Sequence, residues 1–262
     1  MKKPLIILAS LLCAAAGAQA STWRDSAAIS QLFRDAGLNG TFIVYDVRAD
    51  TFTAHDLKRA SARYLPASTF KIPNSLIGLT VGAVDSVDQV LPYGGKPQRV
   101  KQWERDMSLR DAIKVSNVPV YQELARRIGL ARMREQLARI GYGNNDIGSV
   151  VDRFWLDGPL KVSALEQSLF LARLAQDKLP LPKPAMAAVR DITLLEQGAD
   201  YELHAKTGRT GDPKADLGWW VGWVRKGDRI YAFALNADLV DESDSAKRIP
   251  LARASLKALG IL

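Results

Sequence analysis

Ser68 and Lys71 are the two residues whose types and spacing most directly permit chemistry. They lie three positions apart in an apolar stretch, PASTFKIPNS, at residues 66–75. On a helix this spacing places the hydroxyl and the amine on one face. A serine hydroxyl becomes a good nucleophile only when a neighbouring base takes its proton. The pair is therefore a candidate nucleophile and base, and the alternative is a helix cap beside a lysine that reaches solvent.

The identity of the base is the next question. Burial lowers the pKa of a lysine, so Lys71 could act as a neutral amine or be converted into another base, and the residues alone leave both open. A Ser-His-Asp triad would need His55 or His204, the only two histidines. Neither lies in an HExxH or HxH pattern, so no metal site is expected. The single cysteine, Cys13, lies in the leader described below, so no disulfide or thiolate chemistry is expected.

Three further short motifs combine polar side chains with the ends of predicted elements. Residues 116–118 (SNV) lie between two predicted helices, where an ordinary helix cap is the alternative. Residues 142–144 (YGN) follow a helix that a glycine could simply terminate. Residues 206–208 (KTG) end an apolar strand, where the edge can bind an extended substrate and the ammonium can hold a carboxylate. A basic strand end is the alternative for this last motif.

The elements that must position these residues change in type along the chain. Residues 40–56 are rich in β-branched and aromatic side chains around a polar turn, which predicts two strands. From about 105 to 195 the pattern is helical, and Ser163 with Glu166 has the spacing of a capping box. Its helix is predicted to bury a stripe of Leu165, Leu169 and Leu171 or Phe170. After about 200, three strands and a final helix follow.

These elements predict an α/β (α+β) fold in which an antiparallel sheet, flanked by the terminal helices, packs against an all-helical lobe. The sheet lobe is expected to comprise about 21–60 and 197–262, and the helical lobe about 61–196. Both lobes belong to one catalytic domain, residues 21–262. A cleft between two such lobes is where a small ligand is expected to bind.

Residues 1–20 have the features of a secretory signal peptide. Lys2 and Lys3 precede an apolar run that ends at Ala18-Gln19-Ala20, so cleavage after Ala20 is expected. The run is too short to span a membrane, and no later segment is expected to anchor the chain in one. The formal net charge is +8, but basic residues are interspersed with acidic ones and no aromatic–basic platform is present, so no nucleic-acid partner is expected.

The motifs together resemble a known family. Ser-x-x-Lys, a Ser-Asp-Asn element and Lys-Thr-Gly are grouped in penicillin-binding proteins and class A β-lactamases. In this chain the second element is SNV rather than Ser-Asp-Asn, and YGN is added. The order STFK, KQWERD, SNV followed by PV, YGN, FWL, KTG and WWVGW resembles the class D, oxacillinase-type, serine β-lactamases across nearly the whole mature chain. The resemblance implies a β-lactamase/penicillin-recognising fold, β-lactam antibiotics as substrates and a periplasmic location in a bacterium.

The resemblance implies roles for the reacting groups. Ser68 matches the nucleophile that forms the acyl-enzyme. Lys71 matches the family lysine that reacts with carbon dioxide, supplied by bicarbonate, to give N6-carboxylysine as general base; no other cofactor is implied. Trp155, in FWL, matches the tryptophan whose indole N–H holds the carbamate, although a core aromatic residue is the alternative. Ser116 matches the serine that relays a proton toward the departing lactam nitrogen.

The resemblance also implies groups that bind the substrate carboxylate. Lys206, Thr207 and Gly208 match the strand beside that carboxylate. Arg248, on the last helix, matches a carboxylate-binding arginine, and a guanidinium suits such bidentate binding. A solvated surface arginine is the alternative for Arg248.

The remaining implied groups shape the reaction centre. The backbone N–H groups of Ser68 and Arg209 match the oxyanion hole. Val118 and Leu156 match the apolar pair that covers the modified lysine and admits the hydrolytic water. The YGN motif, residues 142–144, is expected to shape the cleft rather than to transfer protons.

Two other functions of related proteins are alternatives. A penicillin-binding transpeptidase or carboxypeptidase also forms an acyl-serine, but the short chain and the FWL and YGN motifs argue against it. A β-lactam-sensing receptor domain would need transmembrane helices, and none is expected after Ala20. The sequence leaves open the preferred β-lactam (penicillin, oxacillin, cephalosporin or carbapenem) and whether the protein is a monomer or a homodimer.

Overall fold

The computed structural model of the chain describes residues 22–212 and 215–262. The predicted signal peptide, residues 1–20, lies outside the described residues, so its cleavage stays a prediction. The strands of the described ranges are β1 (Thr22–Asp25), β2 (Gly40–Asp46), β3 (Thr51–His55), β4 (Arg63–Tyr64), β5 (Val90–Leu91), β6 (Met107–Ser108), β7 (Val162–Ser163), β8 (Leu194–Gln197), β9 (Tyr201–Arg209), β10 (Leu217–Lys226) and β11 (Arg229–Asp238).

The α-helices lie mostly between β3 and β8, as the sequence pattern predicts. In chain order they are α1 (Ala27–Ala36), α2 (Leu57–Ser61), α3 (Lys71–Thr80), α4 (Leu109–Lys114), α5 (Val118–Ile128), α6 (Leu130–Ile140), α7 (Ala164–Ala175), α8 (Lys183–Thr193) and α9 (Asp244–Ala258). No helix within the two described ranges is both long and apolar enough to cross a bilayer.

Seven strands from both ends of the chain form one large sheet, in the order β1-β3-β2-β11-β10-β9-β8. The predicted antiparallel pairing is confirmed for all of its neighbours except β1 and β3, which run parallel. The parallel pairing of β1 and β3 is possible because α1 and β2 lie between them in the chain, whereas the antiparallel pairs β2–β3 and β10–β11 are joined by tight turns. At the turn between β10 and β11, Gly227 adopts a φ of +57°.

Local sequence signals begin and end the helices that carry the site. Ser163 and Glu166 form the complete capping box at the start of α7. Asn117 caps α5, where its side chain accepts the N–H of Val120 at 3.1 Å. Gly141 ends α6 in the left-handed conformation. These short-range signals explain why the predicted helix boundaries in this region agree with the structure.

Two clusters of buried apolar side chains cover opposite faces of the sheet. Ile43 and Trp219 belong to the larger cluster, which includes the helices between β3 and β8. Their strand neighbours Phe42 and Trp220 belong to the smaller cluster, which lies against α1 and α9. Alternation of successive strand residues between the two clusters is the expected period of two. The sheet is therefore buried on both faces, and the site lies at its junction with the helical region.

The predicted apolar stripe of α7 is partly wrong. Phe170 and Leu171 are buried, but Leu169 is 38% exposed and Leu165 is half-buried. The helix packs against β11, β2 and β10, and its buried residues include the polar Gln167. Hydrophobicity alone selected the leucines, whereas the rotation of the helix in the fold decides which side chains face the sheet.

Candidate active site

The segment that carries Ser68 is a 3₁₀ turn that leads directly into α3. The turn spans Ala67–Phe70, and Lys71 is the first residue of α3. Ala67 adopts a φ of +48°, a left-handed conformation that non-glycine residues rarely adopt. Its N–H donates to the Trp155 carbonyl at 3.0 Å. The unusual backbone therefore depends on a contact from a distant loop.

The structure brings the Ser68 hydroxyl and the Lys71 amine into hydrogen-bond contact. The Lys71 Nζ donates to the Ser68 Oγ at 2.8 Å. Lys71 is only 1% exposed, whereas Ser68 is half-buried. None of the ion pairs formed by the described residues includes Lys71. A buried lysine with this environment is poised to lose its charge.

The pKa of Lys71 is held well below its ordinary range. Burial is the largest cause, and the positive charges of Lys206 and Arg99 add to it. The centroid of the Tyr121 ring lies 5.2 Å from the Lys71 Nζ, and this aromatic face opposes the trend by favouring a cation. The neutral amine is the form that can accept a proton from Ser68 or react with an electrophile.

The indole of Trp155 is fully buried and its Nε1 has no hydrogen-bond partner among the described residues. The indole is fixed in place by stacking on Phe70, with ring centroids 5.3 Å apart. A buried N–H without an acceptor is costly and rare in folded proteins. This orphaned donor fits an acceptor that the unmodified side chains do not supply, such as an oxygen of a carboxylated lysine.

A second buried lysine joins two distant motifs. The Lys206 Nζ donates to the Ser116 Oγ at 3.0 Å, although the two residues are 90 positions apart. It also donates to the Thr207 carbonyl at 2.9 Å and the Thr207 hydroxyl at 3.3 Å. Burial, reinforced by the charge of Arg248, lowers the pKa of Lys206 to about 7. The SNV and KTG motifs are therefore one cluster in the fold.

The second half of β9 presents an open edge to the turn that carries Ser68. β8 pairs with β9 only as far as His204, and the 3₁₀ turn packs against β9 beyond that point. The N–H of Thr210 donates to the Leu217 carbonyl of β10. Because successive N–H groups of a strand point to opposite sides, the Arg209 N–H faces the open edge. This is the orientation that a paired oxyanion donor requires.

Glycine at position 208 allows the strand to approach the turn closely. A Cβ atom there would lie 3.1 Å from the Pro66 oxygen and 3.1 Å from the Thr69 Cγ2. Such contacts are tighter than those of nearly all real Cβ atoms. A side chain at Gly208 would therefore push β9 away from Ser68.

Arg248 is 8% exposed and lies buried against β9 and β10, not solvated. Its Nη1 donates to the carbonyls of Gly208 at 2.6 Å and Trp219 at 3.2 Å, and Ser245 accepts from its Nε and Nη2. These bonds use four of its five N–H donors, so one is left for a ligand. Burial, followed by the charge of Arg209, lowers the pKa of Arg248. A Cβ at Gly218 would lie 2.3 Å from the Arg248 Cδ, so this glycine, which the sequence patterns did not single out, makes room for the guanidinium.

The other predicted residues take positions around this centre. The Arg209 side chain is held by Asp216 and Glu242, so only its backbone faces the turn. Val118 begins α5 and Leu156 follows Trp155, and both are half-buried.

The YGN motif fixes a loop. The Asn144 side chain accepts the Lys161 N–H at 2.9 Å and donates to the Pro159 carbonyl at 3.1 Å. A Cβ at Gly143 would lie 2.2 Å from the Lys161 oxygen. The Tyr142 hydroxyl donates to the Gln167 Oε1 at 3.1 Å. The sequence patterns did not identify Gln167, or Thr69, to which it is hydrogen-bonded, as site residues. The only sequence signal for either is that a polar residue lies in an apolar stretch.

The two histidines have other partners. The His204 ring stacks on Trp223 at 4.3 Å and contacts the Arg190 carbonyl through Nδ1 at 2.9 Å. The His55 Nδ1 lies 3.0 Å from the Ser30 Oγ. In the part of the chain that the structure describes, no group of three or more His, Cys, Asp or Glu residues is placed to hold a metal ion.

Comparison with known proteins gives consistent matches over nearly all of the chain. The family model of the penicillin-binding protein transpeptidase domain matches residues 40–257. The chain is 38% identical to β-lactamase OXA-10 of Pseudomonas aeruginosa, with 96% of each chain covered. It is 39% identical to β-lactamase OXA-48 of Klebsiella pneumoniae, with 92% of this chain and 91% of that protein covered.

Solved structures give the same result at the level of the fold. The class D β-lactamase FUS-1 (OXA-85) of Fusobacterium nucleatum subsp. polymorphum superposes with a TM-score of 0.88 and 44% identity, covering 91% of this chain and 99% of that one. The class D β-lactamase YbXI from Nostoc gives a TM-score of 0.87 and 38% identity, covering 89% and 99%.

Proposed function

The chain belongs to the class D β-lactamase family and is a serine hydrolase, and we propose that it hydrolyses β-lactam antibiotics through an acyl-enzyme on Ser68. The observation that carries the proposal is the 2.8 Å contact between the Ser68 Oγ and the Nζ of a fully buried Lys71. This contact supplies a nucleophile with an adjacent base, the arrangement that activates serine in the absence of histidine.

We assign the general base to Lys71 in its N-carboxylated form. Only a neutral amine reacts with carbon dioxide, and the lowered pKa of Lys71 keeps the amine neutral. The orphaned Nε1 of Trp155 is the donor that would hold the carbamate. When carboxylated, Lys71 supplies an anionic base for both acylation and deacylation.

Acylation begins when Lys71, as general base, takes the proton of the Ser68 hydroxyl and the Ser68 Oγ forms a bond to the lactam carbonyl carbon. Negative charge then develops on the carbonyl oxygen. The N–H groups of Ser68 and Arg209 are the donors for this charge, and the Arg209 N–H faces the open strand edge. The lactam C–N bond breaks, and its nitrogen takes a proton from the Ser116 hydroxyl. Lys206, 3.0 Å from the Ser116 Oγ, restores that proton.

Substrate orientation is assigned to the KTG strand and the last helix. The Lys206 ammonium, the Thr207 hydroxyl and the remaining N–H of Arg248 bind the carboxylate common to β-lactams. Val118 and Leu156 cover Lys71 and admit the water that hydrolyses the acyl-enzyme. The enzyme would act in the periplasm after cleavage of the signal peptide and would there confer β-lactam resistance, and cell fractionation with a processed N-terminus would test this location.

The test is a time course of a chromogenic cephalosporin with purified protein, with and without added bicarbonate. We expect sustained turnover that increases with bicarbonate, together with a carbamate signal on Lys71 in ¹³C NMR after labelling with ¹³C-bicarbonate. A turnover rate that does not change with bicarbonate, together with no carbamate signal, would overturn the assignment of the base. The assignment of the protein as a hydrolase would still stand.

The transpeptidase function is the second candidate, and the match of residues 40–257 to the penicillin-binding protein transpeptidase domain favours it. Under that function, the same time course would show a burst of about one equivalent of product and then no further turnover, because the acyl-enzyme is not hydrolysed. That outcome would overturn the β-lactamase proposal.

A further inference from the structure

Thr69, Gln167 and Tyr142 form a buried hydrogen-bond chain behind the turn that carries Ser68. The Thr69 hydroxyl donates to the Pro66 carbonyl at 2.7 Å. It accepts in turn from the Gln167 Nε2 at 2.7 Å. The Gln167 Oε1 accepts from the Tyr142 hydroxyl at 3.1 Å. Each of the three side chains is at most 1% exposed, so water does not compete for these bonds.

The direction of this chain is fixed at both ends. The Pro66 carbonyl can only accept, so the Thr69 hydroxyl must donate to it and can then only accept from Gln167. Burial raises the pKa of the Tyr142 phenol, which therefore stays protonated and donates. A hydrogen-bond chain with one allowed direction locks the amide of Gln167 in one orientation, and it locks the rotamer of Thr69.

The hydrogen-bond chain contacts a backbone segment with an unfavourable conformation. Pro66 and Thr69 flank Ala67, whose φ of +48° is a conformation that persists only when surrounding groups enforce it. On its other side, the same segment meets β9, where Gly208 lies against the Pro66 oxygen and Thr69. The turn is thus clamped between α7 and the strand that carries Arg209.

We propose that Thr69, Gln167 and Tyr142 are positioning residues that hold the Ser68 Oγ and N–H in register with the Arg209 N–H. Thr69 sits beside the nucleophile, and Gln167 reaches it from α7, 98 positions away. The hydrogen-bond chain therefore transmits the placement of α7 and of the YGN loop to the reaction centre. This role rests on the proposed function of Ser68 as nucleophile.

The test uses substitutions that keep the shape of the side chain but remove its hydrogen bonds. Thr69→Val and Gln167→Met remove the hydrogen bonds with little change in volume. We expect each to lower the acylation rate constant and kcat by about 10- to 100-fold, because a displacement of 1 Å can cost about 100-fold. KM should change by less than about threefold, since the substrate carboxylate is bound elsewhere. Thr69→Ser keeps the hydroxyl and should recover most of the loss.

Gln136→Met is the matched control. Gln136 is a buried glutamine of α6 that does not belong to the hydrogen-bond chain. Its Oε1 has no partner within the described residues. Its replacement should leave kcat unchanged, although the Tm can shift. The double variant Thr69→Val/Gln167→Met should lose little more than either single variant, because one broken bond already frees the turn.

Folded Thr69→Val and Gln167→Met proteins with the wild-type acylation rate would overturn the proposal. If they do not fold, Tyr142→Phe, which removes a single hydroxyl, gives the same comparison, and a wild-type acylation rate in that variant would overturn the proposal equally. The acylation rate, followed by intact mass, also separates this proposal from the proposed function. A wild-type protein that acylates without turnover contradicts the hydrolase, and the variants still report on the positioning role.

Discussion

Lys71 and Lys206 are two buried lysines at one reaction centre, and their surroundings differ. Within the described residues the Lys71 Nζ donates to one group, the Ser68 hydroxyl, and the preceding residue, Phe70, stacks on Trp155, whose indole N–H has no acceptor there. The Lys206 Nζ donates to three oxygens, from Ser116 and Thr207. Burial lowers the pKa of both, well below the ordinary range for Lys71 and to about 7 for Lys206.

The difference shows how one residue type can serve two purposes. Three oxygen acceptors stabilise an ammonium, so Lys206 keeps a proton that it can share with Ser116 or use to bind a carboxylate. Lys71 has one such acceptor, and burial together with the charges of Lys206 and Arg99 favours the neutral amine, so the side chain is available as a base or for carboxylation. Burial lowers the pKa of both lysines, helped by Lys206 and Arg99 at Lys71 and by Arg248 at Lys206, and the two lysines differ in the number of oxygen acceptors around the amine.

Among the variants that test the difference between the two lysines, Lys71→Ala should have the largest effect on activity. We expect kcat to fall by about 10⁴-fold or more, because removing a member of a nucleophile–base pair has effects of this size. Both acylation and deacylation should slow, as measured by pre-steady-state kinetics. Lys114→Ala, at an exposed lysine of α4, is the control and should behave as wild type. Near-normal turnover by Lys71→Ala would refute the general-base assignment.

Trp155→Phe should have the next largest effect. The substitution keeps a buried ring and removes the orphaned N–H, so the carboxylated form of Lys71 loses its donor. We expect kcat to fall by about 100-fold, a typical value for an impaired general base, and added bicarbonate to restore part of it. Trp223→Phe is a matched control, because Trp223 also has a buried Nε1 without a partner among the described residues but stacks on His204 instead. Equal bicarbonate responses in the two variants would contradict the role of Trp155.

Arg248→Ala tests the carboxylate side of the centre. Loss of a charged hydrogen bond predicts a KM higher by about tenfold for carboxylate-bearing substrates. The Tm should fall as well, because the guanidinium binds the Gly208 and Trp219 carbonyls. Steady-state kinetics and thermal unfolding separate the two effects. A lower Tm with an unchanged KM would make Arg248 purely structural.

The smallest expected effect is a pH dependence of kcat/KM that arises from the titration of Lys206. With a pKa of about 7 in the free enzyme, Lys206 is charged at lower pH and becomes neutral as the pH rises. We therefore expect kcat/KM to fall about eightfold between pH ~6.5 and ~8, as the ammonium that binds the carboxylate is lost. In Lys206→Arg the charge is retained throughout this range. An unchanged descending limb in that variant would assign the pKa to another group.

Several features of this protein follow from the sequence alone, because they depend on neighbours a few positions away. The capping box of Ser163 and Glu166, the glycine that ends α6 and the three-residue spacing of Ser68 and Lys71 are of this kind. The order of strands and helices, and with it the fold class, also follows from local patterns. The family followed from the order of the short motifs.

The tertiary structure decided what local patterns do not encode. The contact between Lys206 and Ser116, the bond between Gln167 and Thr69 and the unpaired indole of Trp155 join segments far apart in the chain. The parallel pairing of β1 and the exposure of Leu169 likewise depend on how elements pack. Burial and the neighbouring positive charges lower the pKa of each lysine, and both are properties of the packed structure. The sequence therefore identified the candidate reacting groups, and only packing determined their charge, their partners and their orientation.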